Sequence, residues 1–156
     1  MEAKNDAEWM QEALREAHLA FEEGEVPVGA VVVDRGRLIG RGHNRVENLK
    51  DATAHAEIIA IGAASAARGD WRLEGATLYV TVEPCMMCLG AIFLSRLSRL
   101  VFGAYDKRAG ACGGAIPLGS SKYMDRELSV SGGVLESGCQ ELLLEFFSKV
   151  RQSGKA

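Results

Sequence analysis

Between Asn5 and Glu23 the apolar residues Trp9, Met10, Ala13, Leu14, Ala17, Ala20 and Phe21 recur at helical spacing. That period predicts one amphipathic helix, capped by Asn5 or Asp6 and stopped at Gly24. The pattern then changes. Val26 to Val33 is β-branched and apolar, broken only by Pro27 and Gly29, and reads as a strand. Asp34-Arg35-Gly36 reads as a hairpin turn into a partner strand, Arg37 to His43. A polar loop, Asn44 to Ala52, leads to a second helix capped by Thr53. Its packed positions are Ala54, Ile58, Ile59, Ile61 and Gly62, and it ends near Gly69. Ala76 to Val82 is a third strand, followed at once by Pro84 at a helix start. The helix Met86 to Leu94 is almost wholly apolar, which predicts burial on several faces, with Met86 and Met87 in the core.

Leu100 to Ala104 is a fourth strand. Tyr105 to Leu128 is polar and glycine-rich, and a loop of that length in a compact domain is usually functional or mobile. A short strand around Gly133 to Leu135 and a last helix, Gly138 to Val150, follow, and the polar tail Arg151 to Ala156 is expected to fray. The order α-β-β-α-β-α-β-β-α argues an α/β fold. It predicts a three-layer α-β-α sandwich around a central mixed sheet of about five strands, with residues 1–156 as one domain.

Composition narrows the function. The chain has 156 residues, 47% hydrophobic and 25% charged, enough for a real core without disulfide staples. A net charge of −3 weighs against a dedicated nucleic-acid binder but leaves room for a local basic patch. No apolar run approaches the ~20 residues of a membrane span. The polar, acidic start, Met1 to Asp6, does not read as a secretory signal, so a cytoplasmic location is expected. Of the four cysteines, Cys85 and Cys88 stand at C-x-x-C spacing, which reads as metal or redox chemistry.

The chemistry concentrates in two short runs at predicted helix starts, His55-Ala56-Glu57 and Pro84-Cys85-Met86-Met87-Cys88. One imidazole and two thiolates suit Zn²⁺, one ion per chain, with a fourth position left open for water. The positive ends of the two helix dipoles favour thiolate charge there. Glu57 lies two residues beyond His55, so it reaches past the metal and suits a general acid/base. His18 and His43 stand in no comparable motif; His43 ends a strand, and strand ends border sites in α/β folds. Cys112 is a possible fourth ligand but lacks a paired spacing, and with Cys139 it reads more simply as an ordinary thiol. Asp106, Lys107 and Arg108 read equally well as phosphate or ribose contacts and as a solvated turn. Arg45 and Lys50 read as scattered rim charges.

H-x-E followed by P-C-x-x-C is a known signature of zinc nucleobase deaminases. The chain resembles the bacterial tRNA-specific adenosine deaminases over nearly its whole length. The resemblance is carried by Glu25-Val26-Pro27-Val28-Gly29-Ala30, Asn44, Asp51 to Glu57, Leu78 to Thr81, Glu83 to Cys88, Phe102 to Asp106 and Glu145-Phe146-Phe147. It implies a cytidine deaminase-like fold and zinc-dependent hydrolytic conversion of adenosine to inosine at the wobble position of a tRNA anticodon loop. It also implies a homodimer with the active site near the subunit interface. Asn44 would hydrogen-bond the purine with help from the backbone near Ala56, and Val28 would line the pocket. Tyr123-Met124-Asp125-Arg126 departs from the Asn-His pair usual in that family, and the basic tail is modest, at Lys149, Arg151 and Lys155. Two rival readings remain. One is a deaminase of a free base or nucleoside such as guanine or cytosine. The other is a non-catalytic zinc-stabilised binding module, against which Glu57 argues.

Overall fold

The computed structural model describes residues 3–154; Lys155 therefore lies outside the described residues. Helix α1, Asp6–Glu22, opens with a capping box. The Glu8 amide donates to Asn5 Oδ1 at 2.9 Å, and such a cap is worth ~1 kcal/mol. Strands β1, Gly29–Asp34, and β2, Arg37–His43, form a hairpin. Its turn residues Arg35 and Gly36 both have positive φ, 51° and 73°, as a tight hairpin turn requires. A single turn, α2 (Val46–Leu49), precedes helix α3 (Ala56–Arg68). Then come β3 (Thr77–Val82), α4 (Met86–Leu94), β4 (Arg99–Ala104), β5 (Ser129–Ser131) and α5 (Glu136–Gln152).

The sheet runs in the order β2-β1-β3-β4-β5. Strand β1 is antiparallel to both neighbours, while β3, β4 and β5 are parallel. Side chains alternate across it with period two. Val31, Val33, Tyr79 and Val101 pack with Trp9, Met10 and Cys139 under α1 and α5. Ala30, Val32, Leu78, Val80, Leu100 and Phe102 pack with Ala56, Ala60, Leu89 and Ile92 under α3 and α4. The expected three-layer α/β arrangement with a five-stranded mixed sheet is what the chain forms. No helix among the described residues is long and apolar enough to cross a membrane.

Three local expectations are corrected. Helix α3 begins at Ala56 rather than after Thr53, because the Thr53 amide and hydroxyl both donate to Asp51 Oδ1, at 2.9 and 2.7 Å. That local turn holds Thr53 outside the helix. The last strand is Ser129–Ser131 rather than Gly133 to Leu135. Val130 pairs with Leu100, and the chain then turns through Gly133 and Leu135, both at positive φ, into α5. Helix α4 buries one face only. Cys88, Leu89, Ile92 and Phe93 point inward, whereas Met86 is 65% and Leu94 52% exposed.

Helix α3 lies directly on β2 because Gly40 and Gly42 carry no side chains. A Cβ on Gly42 would sit 2.7 Å from the Ala56 carbonyl oxygen and from the Ala60 nitrogen. Gly42→Ala is therefore expected to push back the start of α3 and cost ~1–3 kcal/mol in urea denaturation. Gly62, on the exposed side of the same helix, has nothing within 4 Å of its Cβ position. Gly62→Ala should add up to ~1 kcal/mol. Equal effects of the two substitutions would contradict this packing.

Helix α1 is pinned to the sheet by Asp6. Arg99 Nη1 and Nη2 donate to its two oxygens at 2.8 and 2.6 Å, and the Tyr79 hydroxyl donates to Oδ1 at 2.8 Å. The Arg99 bonds hold the Asp6 carboxyl below its usual value of 3.8, against the opposing effect of burial. A carboxylate with a depressed folded-state pKa stabilises fully above its unfolded value and loses that contribution as pH falls through the folded one. Each partner is about a third exposed, at 33% and 34%, so screening limits the pair to ~1 kcal/mol. Asp6→Asn should lower the melting temperature at pH 7, with the gap to wild type closing below pH ~4. A gap that fails to narrow as the pH falls below ~4 would contradict the assignment.

Candidate active site

The N-termini of α3 and α4 meet at one point beyond the end of β3. His55 is the N-cap of α3 and Cys85 the N-cap of α4, both in extended backbone conformation. An N-cap side chain normally accepts a hydrogen bond from its own helix. Neither of these does, and both point at each other instead. Cys88 lies one turn into α4 and is fully buried. His55 Nδ1 lies 3.4 Å from Cys88 Sγ and 3.7 Å from Cys85 Sγ. Tetrahedral zinc, with ~2.0–2.1 Å bonds to nitrogen and ~2.3 Å to sulfur, requires a nitrogen–sulfur separation of ~3.6 Å. The trio therefore fits the ion by both donor type and spacing. His55, Cys85 and Cys88 are the one group of metal-binding character found among the described residues. Cys112 does not join it, and its Sγ lies against Gly119. The site thus offers three residues that could hold a metal ion.

The electrostatics point the same way. The Cys88 thiol and the His55 ring both bond Cys85, holding its thiol at about 4, well into the thiolate range. The bond to Cys85 raises His55, against the effect of burial. The Cys88 thiol is pushed up by its bond to Cys85 and by burial. Glu57, in the first turn of α3, is only 4% exposed. Burial pushes its carboxyl up to about 7, opposed by its own backbone amide and by His55.

A cleft of about 760 Å³ opens over these groups. Val28, Asn44, Ala56 and Asp106 all line it, together with His55, Glu57 and Cys85. Lys107 does not, whereas its neighbour Arg108 does. The cause is Asp106, whose Oδ1 accepts the Arg108 and Ala109 amides at 2.9 and 3.1 Å and sets the phase of the turn. His43 is not part of the cleft wall. Its ring is held between Glu16 at 3.3 Å and Glu23 at 3.1 Å. The Tyr123 to Arg126 segment also lies elsewhere: the Tyr123 ring packs edge-on against Phe93 and Arg126 reaches Glu74. Phe146 and Val150 of α5 complete the outer rim of the cleft.

Two cleft residues, Glu25 and Glu83, had no role assigned from the sequence. They are 1% and 3% exposed. Glu25 accepts the Glu47 and Asn48 amides at 3.0 and 2.8 Å, and the Asn48 side-chain amide as well. Burial raises its carboxyl, but these donors outweigh it and hold it below the usual glutamate value. The signal available in the sequence was a lone carboxylate beside an apolar run, before Val26 in one case and between Val82 and Pro84 in the other.

Residues 3–104 match the cytidine and deoxycytidylate deaminase zinc-binding region, and the chain belongs to that family of zinc-binding deaminases. Among its relatives is the tRNA-specific adenosine deaminase of Bacillus subtilis, 47% identical over 97% of this chain and 94% of that protein. A solved structure from work on A-to-I editing by tRNA:A34 deaminases superimposes with a TM-score of 0.83. It is 46% identical, over 87% of this chain and 99% of that one. A guanine deaminase from Nitrosomonas europaea gives 0.80 at 29% identity, over 95% and 87%.

Proposed function

We propose that this protein hydrolytically deaminates adenosine to inosine at the wobble position of a tRNA anticodon, with Glu57 as general acid/base and His55, Cys85 and Cys88 as the zinc ligands. The observation that carries the reading is 47% identity to a tRNA-specific adenosine deaminase, end to end, around an intact His-x-Glu and Pro-Cys-x-x-Cys site. Zinc bound there supplies a Lewis acid that brings the pKa of water near neutrality. The rest is done by the chain. Asn44 and the backbone near Ala56 orient the purine, and Val28 gives it an apolar wall. Glu57 takes one proton from water and gives it to the ring nitrogen, then takes the second from the new C6 hydroxyl and gives it to the amino group, which leaves as ammonia. A carboxyl near 7 can serve in both directions. The target base must be unstacked to expose C6, which a loop nucleotide achieves at little cost.

The cleft extends from the metal site to Phe146, well beyond the space a purine needs. Its outer half suits flanking nucleotides, with Phe146 as a stacking surface and Arg108 as a phosphate or ribose contact. The exposed Met86 and Leu94 on α4 make an apolar face suited to a second copy of the chain, so the enzyme would act as a homodimer in the cytoplasm. The other reading, a free-base deaminase, is favoured by the likeness to the guanine deaminase and by the acidic residues of the cleft, Glu25, Glu47, Glu83 and Asp106.

One assay separates them: inosine formation on an anticodon stem-loop, run beside free adenine, guanine and cytosine. Turnover of the stem-loop alone is expected. Arg108→Ala should weaken stem-loop binding and flatten its salt dependence by ~1 in slope, with zinc content unchanged. Turnover of guanine or cytosine with the stem-loop untouched would overturn the reading.

A further inference from the structure

We infer that Glu83 is a positioning residue for substrate, holding one wall of the cleft at a fixed distance from the metal edge. The inference deepens the proposed reading, and rests on it for the identity of the substrate. Glu83 sits just past the end of β3, two residues before Cys85. A carboxylate at 3% exposure is costly unless its oxygens are satisfied. Oε1 accepts the Asp106 amide at 2.9 Å, and Oε2 accepts the Cys112 and Gly114 amides, both at 2.8 Å. All three donors come from one loop, residues 106–114. No Lys, Arg or His forms an ion pair with Glu83 among the described residues, so its hydrogen-bonding capacity goes to that loop backbone.

The surrounding backbone supports the same connection. The Glu83 amide donates to the Ala104 carbonyl at 2.8 Å, and the Ala111 amide donates to the Pro84 carbonyl at 2.9 Å. The glycines of the loop fit both the carboxylate and the turn at Asp106. A Cβ on Gly110 would come within 2.3 Å of Glu83 Cδ and 2.5 Å of the Asp106 carbonyl oxygen, and one on Gly114 within 2.4 Å of Glu83 Oε1 and 2.1 Å of that same carbonyl oxygen. The loop is therefore glycine-rich where it wraps an acid, and this wrapping puts Asp106, Arg108 and Ala109 into the cleft wall. Residues 83–85 thus link the substrate wall to the metal edge through one short, rigid segment. A change at Glu83 should move the wall relative to the metal without removing a metal ligand.

Glu83→Gln tests this. Glutamine offers one acceptor oxygen, and its amide group turns a donor toward an amide donor of the loop. Three readouts are taken on the zinc-loaded protein. Hydrogen exchange should accelerate at the amides of Asp106, Cys112 and Gly114, with protection in α3 and α4 retained. Zinc should stay at one per chain. On the stem-loop, KM should rise about tenfold or more while kcat stays within about threefold. Glu83→Asp keeps the charge but draws the carboxylate back from the loop, and should reproduce the pattern if the first variant does not fold. Unchanged loop exchange with unchanged KM in a folded variant would overturn the inference. So would loss of zinc with a fall in kcat, which would make Glu83 a support for Cys85 alone. Failure of the tRNA reading shows separately, as a wild-type enzyme inactive on the stem-loop, and leaves the exchange result intact.

Discussion

Glu57→Gln is expected to lower turnover by ~10²–10⁴ or more while leaving one zinc per chain and near-native stability. The size follows from the proposed role. A positioned proton carrier contributes that much, and Glu57 is the carboxyl beside the metal trio that is neither a ligand nor committed to loop amides. The sparing of stability follows from burial. An ionised carboxylate at 4% exposure is an expense to the fold, and an amide of the same shape relieves it. Single-turnover kinetics on the stem-loop, with metal measured on the same sample, would check both parts. Normal turnover in a fully metallated variant would mean that another group moves the protons.

The residues legible in the sequence were those whose role depends on local spacing. Asp34-Arg35-Gly36 between two strand-like runs gave the hairpin, and Pro84 gave the start of α4, because each depends on neighbours within a few positions. The metal trio was legible for a related reason, since the two halves of the motif each sit on one helix start. What stayed hidden depends on distant contacts. Glu83 bonds amides 23 to 31 positions away, and a backbone amide has no residue-type signature to search for. Glu25 bonds Glu47 and Asn48 in the same way. The choice between Lys107 and Arg108 turned on one residue of phase, set by the Asp106 side chain rather than by composition. Helix α4 misled for another reason. Its composition is apolar on all sides, but a single copy of the chain supplies a partner for one face only.

The second large effect is expected from the metal. Cys88→Ala should drop zinc well below one per chain, because two remaining ligands cannot close a tetrahedral site. Zinc that binds only the folded state adds ~4 kcal/mol at a free concentration a thousandfold above its dissociation constant. For a chain of this size that corresponds to a melting temperature roughly 10 °C higher. Chelation should therefore lower the melting point of the wild type, whereas Cys88→Ala should start low and be unaffected by chelator. A buried thiol is also packing, since Cys88 is 0% exposed, so part of the loss would follow from any truncation there. Cys139→Ala separates the two effects. Cys139 is equally buried, at 1%, but lies in the first turn of α5, packed on the opposite face of the sheet. Its removal should cost stability by loss of packing while zinc content and sensitivity to chelator remain. If Cys88→Ala kept full zinc occupancy, or if both variants lost chelator sensitivity alike, the three-ligand assignment would fail.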